Sequence, residues 1–299
     1  NANVASRELE VLGDVDMTGG GSMSSTAAGS VLSLGESVTI TAGSFNASVG
    51  SFGRIKNFAS PLLRGTALSG IIEIRPGAVL RVDGLGLTNA GSLLVNSTGD
   101  NTPTGLVFIQ SATVSGAGNI TLNAHSLDLA GAVLAGEPGV TLTNGAGHTI
   151  RGTGRVTVPI TNLGAISANN PSGPLQLLSN VTNSGAGATA ASNATLQLAN
   201  AMVMNAGSFS SFGTGRLAVP QGESATLDAF RINTGGVAHV LGGGSLLFTG
   251  GLTNNGQIVV NPAGDLQLSR LRAGGNTTLQ GTGSVLLNAN SSNLDSAML

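Results

Sequence analysis

An all-β parallel β-solenoid is the fold this 299-residue sequence predicts, and three observations predict it. The triplet N-x-G recurs along the chain at a nearly even spacing. A longer string, GTG followed by an alternating apolar run, returns at multiples of that spacing. Between these marks the apolar residues alternate with polar ones in short stretches, the period of a half-buried strand.

The N-x-G triplets stand at Asn89, Asn162, Asn183, Asn205, Asn233 and Asn254, with a variant at Asn144-Gly145-Ala146-Gly147. From Asn144 onward the steps are 18, 21, 22, 28 and 21 residues. The longer string reads GTGRVTVP at Gly152–Pro159, GTGRLAVP at Gly213–Pro220 and GTGSVLLN at Gly281–Asn288, offset by 61 and 68 residues, close to three steps of about 21. Two independent motifs thus agree on one period, and a period of 20–50 residues marks a solenoid or repeat array. Runs such as Val79–Val82, Val156–Val158, Leu196–Leu198 and Ile258–Val260 supply short strands. Strands this short, repeating this often, suit coils that each add two or three strands to the coil below at about 4.8 Å. About 11–12 coils of roughly 21 residues fit the length.

Each coil must turn sharply at the same places, and Asn and Gly tolerate the left-handed backbone that such corners demand. Asn144, Asn162, Asn183, Asn205, Asn233 and Asn254 are therefore candidates for a turn ladder, their amides bonding from coil to coil. The alternative is that each marks an exposed turn.

Composition excludes several classes. The net charge is −2 from 12 basic and 14 acidic residues, and Lys56 is the only lysine. Nucleic acid binding needs a basic footprint that this balance does not provide. The chain has no Cys, so a disulfide framework is impossible and thiolate metal sites are excluded. Apolar residues make up 40%, too many for a disordered chain. Charged residues make up 9%, against about 25% in a typical domain, and helices with solvated outer faces are disfavoured. No apolar run approaches the roughly 18 residues of a membrane span. The chain opens at Asn1 rather than Met, as a processed form or fragment does.

Residues 1–30 differ from the rest. In Glu8–Met17, Leu9, Val11, Val15 and Met17 share one face of an extended strand, and Glu8, Glu10, Asp14 and Asp16 share the other. The following TGGGSMSSTAAGS has linker composition. The expected organisation is an N-terminal amphipathic strand plus Gly/Ser-rich linker over 1–30 and a single parallel β-helix domain over 31–299. The strand either caps its own solenoid or docks on a neighbouring molecule, and Leu9, Val11, Val15 and Met17 are the candidate self-association residues. Burying four such side chains contributes roughly 6–10 kcal/mol before ordering entropy is subtracted. A calcium site at Glu10, Asp14 and Asp16 is the weakest reading, because no calcium loop frames the three.

Catalytic constellations are not recognisable. His125, His148 and His239 are isolated and are read as turn or surface histidines. No zinc-protease spacing occurs, and no G-x-S-x-G stands in a strand–turn–helix setting. No catalytic, cofactor-binding or metal-binding residue is therefore assigned, and the chain is read as a non-enzyme that needs no cofactor.

The strings TNGAGHTIRGTGRVTV, ITNLGAISAN and LTNNGQIVVNPAGDLQLS resemble the passenger repeats of autotransporters and of filamentous-haemagglutinin-like bacterial exoproteins, over roughly residues 70–290. The resemblance implies a right-handed parallel β-helix, secreted to the bacterial cell surface and used as an adhesin stalk or fibre. A translocator barrel and a secretion domain are not seen in these 299 residues. The expected function is a structural, self-assembling fibre subunit or adhesin stalk. Its partner would be itself, in a head-to-tail homopolymer, with a cell-surface or polysaccharide ligand as a further possibility. A polysaccharide-binding or polysaccharide-cleaving β-helix, and a phage or viral fibre segment, are the alternatives.

Overall fold

The computed structural model describes residues 7–299. They are all-β, 2% helical, and stack parallel strands into a β-solenoid of about 12 turns spaced by about 22 residues. Contacts gather the chain into two compact units, Asn1–Pro159 and Ile160–Leu299.

In the first unit three strands per coil build three rows, and each strand pairs in parallel with its counterpart one coil away. One row runs from Glu8–Val11 through Val31–Leu34, Phe52–Ile55, Ile71–Ile74, Ser92–Val95 and Asn119–Asn123 to the start of Thr149–Val156. A second begins at Val15–Asp16 and ends where Val133–Gly136 meets Arg155 and Val156. The third runs from Ser22–Ser25 to Leu142–Asn144. The second unit repeats the plan. Its rows begin at Ile160–Asn162, Ala165–Ala168 and Leu175–Leu177 and end at Ala297–Met298, Leu279–Gln280 and Ser284–Leu287.

Alternation sets which side chains enter the core. In Val79–Val82, Leu80 and Val82 are buried while Val79 and Arg81 turn outward. In register, like stacks on like: Leu93 lies on Ile72 and beneath Ile120, which lies beneath Ile150. In the second unit Met204, Leu227 and Phe248 form a similar column. Each fully buried Leu, Ile, Val or Phe stabilises the fold by roughly 1.5–3 kcal/mol relative to exposure.

Coil length varies more than the motif spacing suggests. The step is 19 residues between Arg54 and Glu73 and 30 between Thr121 and Arg151. Strands keep register across this variation because the extra residues go into corners, not into the ladders. Gly116, at φ 95°, is one such corner. A Cβ there would meet the backbone carbonyl oxygen of Asn89 in the neighbouring coil. Both the φ value and the close approach exclude a side chain.

Replacing Gly116 with Ala is expected to destabilise the first unit by about 2–3 kcal/mol. Gly13, with ordinary φ and open space around it, is the control, and Gly13→Ala should change stability by less than about 0.5 kcal/mol. Urea denaturation followed by circular dichroism measures both; equal effects would contradict the corner argument.

Candidate functional site

The N-terminal segment is a coil, and not a strand followed by a linker. Glu8–Val11 pairs with Val31–Leu34, Val15–Asp16 with Ile40 and Thr41, and Ser22–Ser25 with Ser44–Ala47. The chain turns between Val11 and Val15, so the four candidate residues do not share one extended strand. They do share the core side. Leu9 stands over Leu32, Val11 over Leu34 and Val15 over Ile40, all buried partners. Met17 is itself buried. Leu9 is 43% exposed because only one of its two flanking coils is present among the described residues. The Gly/Ser stretch forms a strand because Ser22-Met23-Ser24-Ser25 alternates and Met23 stacks on Phe45.

The three carboxylates considered for calcium are engaged otherwise. Glu10 pairs with Lys56 at 2.8 Å, Asp14 accepts from the Thr39 amide at 2.7 Å, and Asp16 accepts from the Thr18 amide at 2.9 Å. Among the described residues no group of three or more His, Cys, Asp or Glu is placed to hold a metal ion.

The asparagine ladder is real over one step and fails elsewhere. Asn162 and Asn183 are in register, both buried, and the Asn162 Nδ2 donates to the Asn183 Oδ1 at 2.8 Å. Asn205 falls one residue short, because its strand pairs it with Thr182. Asn183 donates instead to the Ala206 carbonyl at 3.0 Å. Asn233 is half-buried and donates to the Ser210 Oγ at 2.9 Å. Asn254 is buried but stands beside Ile232, not Asn233, and donates to the Ser284 carbonyl at 2.9 Å. The varying corner length is the physical cause: a step of 22 residues between asparagines meets a strand register of 23, as from Asn183 to Ala206.

Asn144 belongs to a different device, built around His148. The sequence predicts a turn or surface position for His148, but the residue is 0% exposed, because coils distant in sequence enclose it. Its Nδ1 lies 2.7 Å from the Asn144 Oδ1 and its Nε2 lies 3.1 Å from the Asn89 Nδ2. The tautomer protonated on Nδ1 satisfies both contacts, donating to Asn144 and accepting from Asn89. Asn89 is held in that orientation: its Nδ2 also donates to the Asn119 carbonyl at 3.0 Å and its Oδ1 accepts from the Gly91 amide at 3.1 Å. The coil between passes as Gly116-Ala117-Gly118. Burial pulls the His148 pKa down to about 4. A second proton would also set an N–H on Nε2 against the Asn89 amide donor.

The last coil of the second unit exposes apolar side chains, and a relation inside the chain shows what is unusual about that. Residues 86–134 and 251–299 align without a gap at an offset of 165, with 20 of 49 positions identical, and the structure repeats in detail. Asn96 and Asn261 both adopt positive φ, at 62° and 58°. The Asn96 Nδ2 donates to the Asp100 carbonyl at 2.7 Å and the Asn261 Nδ2 to the Asp265 carbonyl at 2.8 Å. Asn123 donates to the Asn96 carbonyl, and Asn288 to that of Asn261, both at 3.1 Å. Short 3-10 turns follow at Leu129–Gly131 and Leu294–Ser296, capped by Asp128 and Asn293. The 165-residue duplication is legible in the sequence, at a distance far longer than the coil period of about 21 residues.

The two copies differ in what lies above them. In the first unit Leu142–Asn144 and Thr149–Val156 cover Val114, Ile120, Leu122 and Leu134, and all four are fully buried. Their counterparts in the second unit are Leu279, Val285, Leu287 and Leu299. Val285 is half-buried, and the others are 39%, 42% and 68% exposed. Leu286 and Met298 beside them are also exposed.

Comparison with family models, with curated proteins and with solved structures found no match to this chain. Among the described residues no helix is long and apolar enough to cross a membrane.

Two outcomes follow from the buried amides and imidazole. Asn162→Ala strips Asn183 of a buried partner and should cost about 1–3 kcal/mol, whereas Asn205→Ala, off the ladder, should cost clearly less; thermal unfolding measures both. His148 stays neutral in the folded chain and protonates near pH 6.5 once unfolded. Its contribution is therefore complete above about pH 6.5 and is lost as pH falls toward 4, by up to about 3 kcal/mol. In His148→Gln this part of the pH dependence should vanish between pH 6.5 and 5, where few carboxylates titrate; denaturation at stepped pH reads it.

Proposed function

We propose that this chain is a structural, extracellular β-solenoid protein, a fibre subunit or adhesin stalk on a bacterial surface that self-assembles end to end. The single observation behind the reading is the coil stack itself, in which strand after strand pairs in parallel with its counterpart one coil away, the way a solenoid extends. The strands at Glu8–Val11, Val15–Asp16 and Ser22–Ser25 each have one paired edge among the described residues, and so do Leu279–Gln280 and Ser284–Leu287. An unpaired strand edge recruits another strand unless it is covered or charged.

The apolar residues at these edges point the same way. Leu9, Val11 and Val15 on the first coil, and Leu279, Leu287 and Leu299 on the last, lie at core positions with half a core around them. A contact that joins unlike faces does not close on itself and runs on into a filament. The repeat strings similar to autotransporter and filamentous-haemagglutinin-like passengers support the extracellular assignment. Several outward strand positions of the second unit, Thr161, Thr182, Gln176 and Gln197 among them, are uncharged and polar. Gln176 and Gln197 bond to each other along the stack at 3.4 Å.

Purified chain is expected to form linear filaments, visible by negative-stain electron microscopy, in a concentration-dependent way by sedimentation. Deleting residues 1–18 should abolish them. A chain that stays monomeric at high concentration, or a truncated chain that assembles as well as the intact one, would contradict the reading.

A further inference from the structure

We infer that the second unit binds a single carboxylated sugar ring, the uronate type of residue found in acidic polysaccharides, in a cleft lined by Arg216. The site goes beyond the self-assembly reading and stands or falls apart from it.

The cleft lies on the side of the stack, where three successive coils turn from one row to the next. The first turns through 169–174, between Ala165–Ala168 and Leu175–Leu177. The second turns through Asn193 and Ala194, and the third through Gly213-Thr214-Gly215. The first corner is the longest of the three. Its Asn170 Oδ1 accepts from the Ser172 amide at 3.0 Å, and its Pro171 and Pro174 form one wall of the cleft. Asn193, Thr195, Thr214 and Arg216 line the rest. None of these residues belongs to the first or the last described coil. The cleft encloses about 240 Å³. That is below the roughly 300–1,000 Å³ of sites that take drug-sized molecules, and it suits one ring.

Polar groups without partners converge there. Thr195 and Arg216 are cross-strand neighbours. Among the described residues the Arg216 guanidinium has neither a carboxylate partner nor a hydrogen bond, and the Thr195 and Thr214 hydroxyls are free as well. The Asn193 Oδ1 accepts from the Thr214 amide at 3.2 Å, which leaves the Asn193 Nδ2 as a free donor. The uncompensated charge is felt nearby: His239 has its pKa lowered by burial first and by Arg216 second.

The string Gly-Thr-Gly-Arg supplies this corner, and its surroundings decide what it does. At 152–155 the string runs inside the strand Thr149–Val156, with Thr153 buried. At 213–216 it turns, and Thr214 is exposed.

One guanidinium matches one carboxylate, as a bidentate pair. The hydroxyls and the amide match ring hydroxyls, and the proline rings offer an apolar wall to the C–H face of a pyranose. An extended peptide would need a free strand edge, and Thr195–Leu198 and Arg216–Val219 are paired on both edges.

Methyl glucuronide, methyl glucoside and acetate are the probes, titrated into the full chain and followed by ligand-observed NMR. The glucuronide should bind saturably. The glucoside, with a hydroxymethyl group in place of the carboxylate, and acetate, with no ring, should each bind about tenfold more weakly or worse. Arg216→Gln should weaken glucuronide binding by about tenfold or more, and Thr195→Val to a smaller degree. Arg231→Gln, at an exposed arginine outside the cleft, should leave it unchanged. Circular dichroism establishes that each variant is folded, and two substitutions in the cleft guard against the loss of one. Absence of saturable glucuronide binding, equal binding of acetate or the glucoside, or binding that survives the cleft substitutions would overturn the site. None of these outcomes depends on whether filaments form.

Discussion

Every coil of this protein is stabilised by the coils on either side of it. A single coil has three short strands, each too short to hold itself, and its inward side chains touch solvent until another coil covers them. Backbone pairing and core burial thus arrive together, one coil at a time, and the energetics are close to one-dimensional. Ile120 illustrates it: lying between Leu93 and Ile150, it is fully buried. Val285 occupies the duplicate position with a coil on one side and is half-buried. The difference between the two lies in the neighbour, not in the residue or its own coil.

This dependence explains where polar groups can enter the core. An inward amide is tolerated only when the coils above and below supply partners, and strand register decides whether they do. Asn162 and Asn183 meet because their strands are in register. Asn205 misses by one residue, and its amide no longer shares the stack. His148 is the more demanding case, since its two ring nitrogens need an acceptor on one side and a donor on the other. Asn144 and Asn89 provide them, and two glycines in the intervening coil let the side chains reach one another. The outcome is a neutral imidazole in an apolar stack, held by amides that do not titrate.

How much of this was legible in the sequence follows from the same logic. The solenoid was legible, since period-two runs such as Val79–Val82 and the recurring corner glycines are local signals. The register was not. N-x-G marks a corner without saying how many residues the corner absorbs, so Asn205 and Asn233 could not be separated from Asn162 and Asn183. Ser22–Ser25 was hidden by its composition, because a Gly/Ser stretch becomes a strand only when Met23 finds Phe45 beneath it. His148 was hidden for the opposite reason: Gly145-Ala146-Gly147 reads as an exposed turn, and the burial comes from coils distant in sequence. The 165-residue duplication was present throughout as an ungapped alignment, at a distance longer than the coil period.

That duplication bears on the nature of the last coil. The last described coil keeps the inward apolar residues of its interior counterpart: Leu287 for Leu122, Leu299 for Leu134 and Leu279 for Val114. The cap of its 3-10 turn and the asparagine bonds beneath it are retained as well. The duplicated block therefore carries, at both of its places in the chain, the inward apolar alternation by which one coil stacks on the next.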